Sequence, residues 1–251
     1  MKRVLGLLFA ACLVSGWLPQ AGADDKDAKP ILDKAIKALG GEEKLGKIRA
    51  YTWTSKVTIT FGDNENELTS VSTSEGLDHY RAEVEGEFGG NPFKAVVVLD
   101  GDKGWRKFGD MVMEMDDDAV ANEKRTIYLQ AAASLVAPLK GDGFKVEPAG
   151  EENVGDKPAD VLKVTGPDGK DFKLFIDKES GLPVKQVATV AGFMGDEFTQ
   201  ETTYADYKEF DGVQRATKVE SKRDGMPFVV VEIQQFKTLP SVPPSTFAEP
   251  E

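Results

Sequence analysis

The sequence predicts a mainly β (α+β) fold, in which a single strongly curved antiparallel sheet wraps around a central helix, with a short N-terminal helix before it. Three observations support this class. One long internal segment, 116–140, has helical periodicity. On both sides of it, apolar and polar residues alternate as in half-buried strands. The connections between these strands are too short for parallel crossovers, so neighbouring strands should run antiparallel.

The central helix is predicted over 116–140 by the spacing of its apolar residues. Most of them lie three or four positions apart and share one helical face: Val120, Ile127, Tyr128, Ala131, Ala132, Leu135, Val136 and Leu139. Aspartates at 116–118 suit the positive end of the helix dipole, and Pro138 with Gly141 indicates the end. A single helix of this kind among many strands must bury its apolar face against a sheet.

A shorter helix is predicted at 30–39, with one further turn at 42–48. Pro30 suits a first helical turn, and Gly40-Gly41 ends the helix because glycine tolerates a left-handed conformation.

The alternating segments predict about eleven strands. The clearest runs from 51 to 61, with a threonine-rich face and an apolar face that carries Tyr51, Trp53, Val57, Ile59 and Phe61. The last ends near Phe236, and Asp211-Gly212 is the strongest hairpin signal between them.

Residues 1–23 are predicted to be a signal peptide. Lys2 and Arg3 form a positive start, 4–14 is an apolar run too short to span a bilayer, and Ala21-Gly22-Ala23 is a cleavage site. Cleavage after Ala23 would leave one domain, 24–251, in the periplasm or secreted.

Cys12, the only cysteine, offers a less favoured alternative. Phe9-Ala10-Ala11-Cys12 is a poor version of the lipobox in which a cysteine is lipidated, and the residues after Cys12 are unusually apolar for a mature N-terminus. Cleavage after Ala23 would instead leave no cysteine and hence no disulfide.

The charge of the chain argues against several partners. Removal of Lys2 and Arg3 changes the net charge from −12 to −14. Such an acidic chain, without clustered Lys and Arg, is poorly suited to nucleic acid or to anionic lipid. No second apolar run is long enough for a membrane span.

The sequence contains no catalytic signature, so we predict that the protein is not an enzyme. His79 is the only histidine, and no G-x-S-x-G, H-E-x-x-H, Cys–His or nucleotide-binding motif accompanies it. The aspartates at 116–118 lack the spacing of a calcium loop and are explained by the helix start. No catalytic residue, metal or cofactor is therefore assigned.

Several segments occur in an order found in one known family. They are Ala38-Leu39-Gly40-Gly41, the strand with Trp53, Asp100-Gly101-Asp102-Lys103-Gly104-Trp105, the central helix, Gly181-Leu182-Pro183-Val184, Tyr204–Val213 and Phe247-Ala248-Glu249-Pro250. In this order the mature chain resembles the LolA/LolB-like superfamily of periplasmic outer-membrane lipoprotein carriers, particularly its divergent lipoprotein-sorting branch.

The resemblance implies an unclosed, LolA-like half-barrel that wraps a helical lid and receives acyl chains in its apolar interior. In the carrier proper, an Arg-Pro pair before an aromatic strand helps to hold the lid shut. The corresponding stretch here, 76–81, has no Arg-Pro pair, so the same latch is not implied.

The expected function is a periplasmic carrier or binder of a hydrophobic ligand, such as a lipid, an acyl chain or a lipoprotein, in a cleft between sheet and helix. The alternative is a non-catalytic protein-interaction or envelope-sensing domain with a solid core and an envelope protein as partner.

For the carrier, the expected ligand-binding residues are Trp53, Val57, Ile59, Tyr80, Val84, Trp105, Ile127 and Leu135. The six residues outside the helix should point towards it, although Trp105 is equally well explained as a core residue. Truncation of Ile127 or Leu135 should cost under about 2 kcal/mol, because a face that lines a ligand space lacks some packing contacts.

Overall fold

The computed structural model describes residues 27–62, 64–192 and 195–251. The predicted signal peptide, its cleavage site and Cys12 lie outside the described residues. The division of the chain at Ala23 therefore stays a prediction.

In the described residues, thirteen strands, rather than about eleven, form a single sheet. Their bounds are β1 Ala50–Phe61, β2 Asn64–Glu75, β3 His79–Phe88, β4 Asn91–Asp100, β5 Lys103–Phe108, β6 Met111–Glu114, β7 Lys145–Val154, β8 Lys157–Thr165, β9 Asp171–Asp177, β10 Pro183–Ala191, β11 Glu197–Phe210, β12 Val213–Arg223 and β13 Met226–Leu239. Their order across the sheet is β6-β5-β4-β3-β2-β1-β13-β12-β11-β10-β9-β8-β7, with antiparallel pairing throughout. The sheet ends at β6 and β7 and is not closed into a barrel, which confirms the predicted fold class.

The described part of the chain also contains three α-helices, which accompany the sheet: α1 Lys29–Leu39, α2 Glu42–Leu45 and α3 Asp117–Leu135. Short 3-10 turns follow at Ala137–Lys140 and Pro244–Phe247. Helix α3 contacts β4 and β5 on one side and β10 on the other. Because six strands lie between β4 and β10 in the sheet order, the sheet must curve around α3 to bring both against it.

The two ends of α3 have separate causes. The Asp116 carboxylate accepts a hydrogen bond from the Ala119 N–H at 2.9 Å, which caps the first turn. The α-helix ends at Leu135 and not at Lys140 as predicted, because Val136 takes a positive φ of 58°. Pro138 has no N–H to continue the helical hydrogen bonding, so the chain continues as a 3-10 turn.

The main core lies between the sheet and the two longer helices, where it includes Leu39 of α1, Ala132 of α3 and Leu174 of β9. A smaller core lies on the other, convex face of the sheet. There Phe247, in the C-terminal segment, packs against Val96 and Val98 of β4. Within the described ranges, no helix is both long and apolar enough to cross a membrane.

Candidate functional site

A cavity of about 360 Å³ lies between α3 and the middle of the sheet. Helix α3 forms one wall with Asn122, Arg125, Thr126, Leu129, Gln130, Ala133 and Ser134. Strands β1–β3 and β10–β13 form the rest. The volume is within the range of small-molecule sites, which commonly measure about 300–1,000 Å³.

Much of the strand wall is apolar. It consists of Trp53, Val57, Val190, Ala191, Ala216, Val219, Phe228, Val229, Val231 and Ile233. The Trp53 ring stacks on Tyr51 with 5.5 Å between ring centroids, and it lies 6.2 Å from the Tyr80 ring. These contacts hold the indole in one orientation beside the cavity.

A row of hydroxyl groups crosses β1 and β2 on the same wall. Ser55 lies opposite Ser70 in the strand register, and the Ser70 and Ser72 Oγ atoms are 3.2 Å apart. The Tyr80 hydroxyl donates to the Ser72 Oγ at 3.4 Å. All three serines are buried, so the cavity combines apolar surface with hydrogen-bonding groups.

Arg215 of β12 lines the cavity with only 3% of its surface exposed. Its guanidinium lies over the Phe236 ring at 4.5 Å and near the Tyr51 ring at 5.8 Å. Its Nε and Nη1 have no hydrogen-bond partner among the described residues. Burial lowers the pKa of this guanidinium, yet an arginine stays protonated in proteins, so the cavity contains a buried positive charge.

Arg125 of α3 is equally buried, at 4% exposure, but it is fully paired. Its Nη1 lies 2.8 Å from the Asp168 carboxylate in the β8–β9 turn, and its Nε donates to the Thr189 carbonyl of β10 at 2.8 Å. It also donates to the Tyr128 hydroxyl. We call the Arg125–Asp168 pair the helix latch, because it ties α3 to the β8–β10 side of the sheet.

The environment of Asp168 favours its charged form. Burial alone would raise the pKa of this carboxyl. Hydrogen bonds from the Tyr128 hydroxyl and the Lys170 N–H, together with the Arg125 charge, outweigh burial and lower the pKa.

A third arginine, Arg223, lines the cavity at the other end of β12. Its guanidinium lies 3.7 Å from the centroid of the Phe228 ring, and its Nε donates to the Gln200 side-chain oxygen at 3.1 Å. Of the described residues that line the cavity, three are arginines and none is acidic. This is the opposite of the balance in the whole chain, in which 43 acidic residues face 31 basic ones.

The structure brings three of the eight predicted site residues together at the cavity: Trp53, Val57 and Tyr80. Ile59 shares a face of β1 with Val57, and Val84 of β3 lies opposite Ser70 of β2. The cavity extends to neither Ile59 nor Val84. Whether any of these residues contacts a ligand stays a prediction.

The three remaining residues lie elsewhere. Trp105 does not point towards α3. It lies opposite Val98 of β4 and packs in the smaller core on the convex face. Successive residues of β5 face opposite sides of the sheet, so its neighbours, and not Trp105, face the helix. Ile127 packs with Leu99 and Val120, and Leu135 belongs to the main core. Both are buried against protein, because the helix turns a different face, with Leu129 and Ala133, to the cavity.

The cavity residues that sequence reasoning missed are the buried polar ones. Strand β2 has a mostly polar sequence, yet Ser70 and Ser72 face inwards while Val71 between them is 47% exposed. Arg215 carried no sequence signal, because one arginine in an alternating strand is usually solvated.

The described residues contain no group of three or more His, Cys, Asp and Glu side chains that could hold a metal ion. His79 lies away from the cavity, where its Nε2 is 3.1 Å from an Asp100 carboxylate oxygen and its ring is 5.5 Å from that of Phe247. The absence of catalysis, of a metal and of a cofactor stays a prediction.

The fold is similar to that of several solved structures. A LolA superfamily protein from Nitrosomonas europaea aligns with a TM-score of 0.59 at 14% identity, over 89% of this chain and 98% of that one. A DUF1329 family protein from Desulfovibrio piger gives 0.58 at 14% identity, over 88% and 97%. A putative outer membrane lipoprotein-sorting protein domain from Vibrio parahaemolyticus gives 0.54 at 10% identity, over 86% and 97%. The resemblance to a divergent LolA-like branch is thus confirmed for the fold. No family model and no curated protein matches the sequence.

Proposed function

We propose that this protein is a periplasmic carrier or binder of a hydrophobic ligand, such as a lipid, an acyl chain or the acyl chains of a lipoprotein. The observation that carries the proposal is the cavity between α3 and the sheet, with its apolar strand wall. The apolar part of a cavity lining costs stability, since it lacks packing partners. A bound acyl chain would supply those partners.

Two further observations support this proposal. The fold is similar to that of a putative outer membrane lipoprotein-sorting protein domain, which is consistent with a hydrophobic ligand. The helix latch holds α3 over the cavity through one partly buried ion pair. Opening would require this contact to break, so α3 can act as a lid that closes over the ligand.

The first test is native mass spectrometry of protein purified from its own periplasm. We expect a bound lipid that is lost on delipidation and replaced by an added fatty acid. A variant with a filled cavity, Val57→Trp, should lose this binding, while Val71→Trp, on the exposed face of the adjacent strand, should keep it. An apo mass together with no fatty-acid binding by the wild-type chain would refute the carrier.

One observation favours the second candidate, an interaction or envelope-sensing domain. Four exposed large apolar side chains, Phe61, Phe88, Met111 and Met226, lie at hairpin ends. The strand registers place all four at the same end of the sheet. Exposed apolar surface often marks a protein contact. Site-specific photo-crosslinking in cells from position 226, with position 71 as control, tests it: a specific envelope protein captured only from 226 would support this candidate.

A further inference from the structure

The cavity contains a charge that the protein leaves without a counter-ion. Arg215 is almost fully buried, and two of its nitrogen atoms have no acceptor among the described residues. A buried, unpaired guanidinium is costly, because the desolvation of a charge is repaid only by a partner charge and by hydrogen bonds. A group that fits the cavity and accepts hydrogen bonds would remove this cost.

The side chains around Arg215 cannot supply an anion. It faces the Tyr51 and Phe236 rings of β1 and β13 and the nearby Tyr204 and Tyr207 of β11. Burial raises the pKa of all three tyrosines, so they remain neutral phenols near pH 7. The Tyr207 hydroxyl already donates to the Pro183 carbonyl at 2.6 Å.

The other two arginines of the cavity differ from Arg215. The Arg125 charge is neutralised by Asp168 in the helix latch. Arg223 donates to Gln200 and stacks on an aromatic ring at the opposite end of β12. Among these three arginines, Arg215 alone is both almost fully buried and without acceptors for two of its nitrogen atoms.

We infer that the ligand is an amphiphile with an oxyanion, a carboxylate or a phosphate, that accepts hydrogen bonds from the Arg215 guanidinium. The fork of N–H groups on arginine matches both oxyanions. The acyl chain lies along Val219, Val229 and Val231, which follow on the same wall. This inference rests on the proposed function, and it adds the chemistry of the head group.

The test compares three amphiphiles with the same chain of 16 carbons: a fatty acid, its alcohol and the lysophosphatidic acid. Binding to delipidated full-length mature protein is measured by calorimetry at pH 8, where both anions are ionised. We expect at least one anion to bind about tenfold or more tightly than the alcohol, which corresponds to about 1.4 kcal/mol. Tighter binding of the fatty acid would identify a carboxylate as the head group, and tighter binding of the lysophosphatidic acid would identify a phosphate.

The Arg215→Met variant should lose this preference and bind the alcohol about as well as the wild type does. Arg215→Lys, which keeps the charge without the fork, should retain part of it and covers the case in which the methionine variant fails to fold. The matched control is Lys218→Met, on the same strand, where the lysine forms an exposed pair with Glu220 at 2.7 Å. It removes one positive charge from the outer surface and should leave the preference unchanged.

Two outcomes would overturn the inference while leaving the carrier intact. The wild-type protein could bind acid and alcohol equally well, or Arg215→Met could bind amphiphiles with the wild-type preference. If no amphiphile binds to the wild-type chain at all, the proposed function itself fails. The wild-type measurement therefore separates the two failures.

Discussion

Two buried arginines illustrate how the same residue type can have opposite effects on stability. Arg125 forms an ion pair and donates hydrogen bonds to nearby acceptors. Arg215, in contrast, has aromatic contacts and two nitrogen atoms without acceptors. A desolvated cation–π contact contributes about 2 kcal/mol. The desolvation of a buried charge costs several kcal/mol, so the cost should prevail at Arg215.

Arg215→Met should therefore stabilise the ligand-free protein, by about 1–4 kcal/mol. The same substitution at Arg125 should destabilise it by about 3 kcal/mol, because it leaves the Asp168 carboxylate and the Thr189 and Asp171 carbonyls without their partner. Urea unfolding of delipidated protein measures both values. Destabilisation by Arg215→Met comparable to that of Arg125→Met would mean that its guanidinium contributes to the fold as ordinary packing.

The helix residues Ile127 and Leu135 should behave as core residues. Ile127 is 3% exposed and packs with Leu99, so Ile127→Ala should cost about 2–5 kcal/mol and change ligand affinity little. This replaces the expectation of under about 2 kcal/mol from the sequence. The comparison is Phe175→Ala, because Phe175 packs with Ala159 and Val161 in a cluster apart from the main core; it should cost about 3–5 kcal/mol. Chemical unfolding and fatty-acid titration of both variants test the revision; a weak effect at Ile127 would restore the original expectation.

At the scale of elements, α3 depends on the helix latch and should respond to acid. The pKa of Asp168 lies below its ordinary value of 3.8, so its contribution to stability is complete above that value and is lost as the pH falls below it. We expect the melting temperature of the wild type to fall more steeply below about pH 4 than that of Asp168→Asn, which has no charge to lose. The thermal unfolding of both proteins from pH 7 to pH 2.5 measures this. Parallel curves would show that the latch contributes no pH dependence.

At the scale of the whole molecule, export should decide where the folded chain begins. Cleavage after Ala23 gives a mature protein that starts at Asp24 and contains no cysteine. The intact mass of protein isolated from the periplasm should match residues 24–251, and Cys12→Ser should leave export and mass unchanged. A diacylglyceryl mass on a chain beginning at Cys12 would show instead that the protein is lipidated and anchored.

The sequence by itself determined the fold class and most of the elements, although not the exact number of strands or the end of α3. The alternation around Trp53, the hairpin at Asp211-Gly212 and the apolar stripe of α3 are local patterns with periods of two or about 3.6 residues. Short connections imply antiparallel neighbours, and a lone amphipathic helix implies a sheet that covers it. Local physics was therefore sufficient for the fold class and for the start of α3.

The tertiary structure alone decided which faces of β2 and β5 point inwards. Alternation defines two faces of β5 but does not show which of them lies on the concave side of the sheet. The C-terminal segment with Phe247 provides a second core, which holds Trp105 on the convex side. In β2 the small Ser70 and Ser72 face the cavity while Val71 is exposed. The burial of Arg215 likewise depends on β1, β11 and β13 meeting around it. These contacts join residues far apart in the chain, and no local pattern encodes the curvature that brings them together.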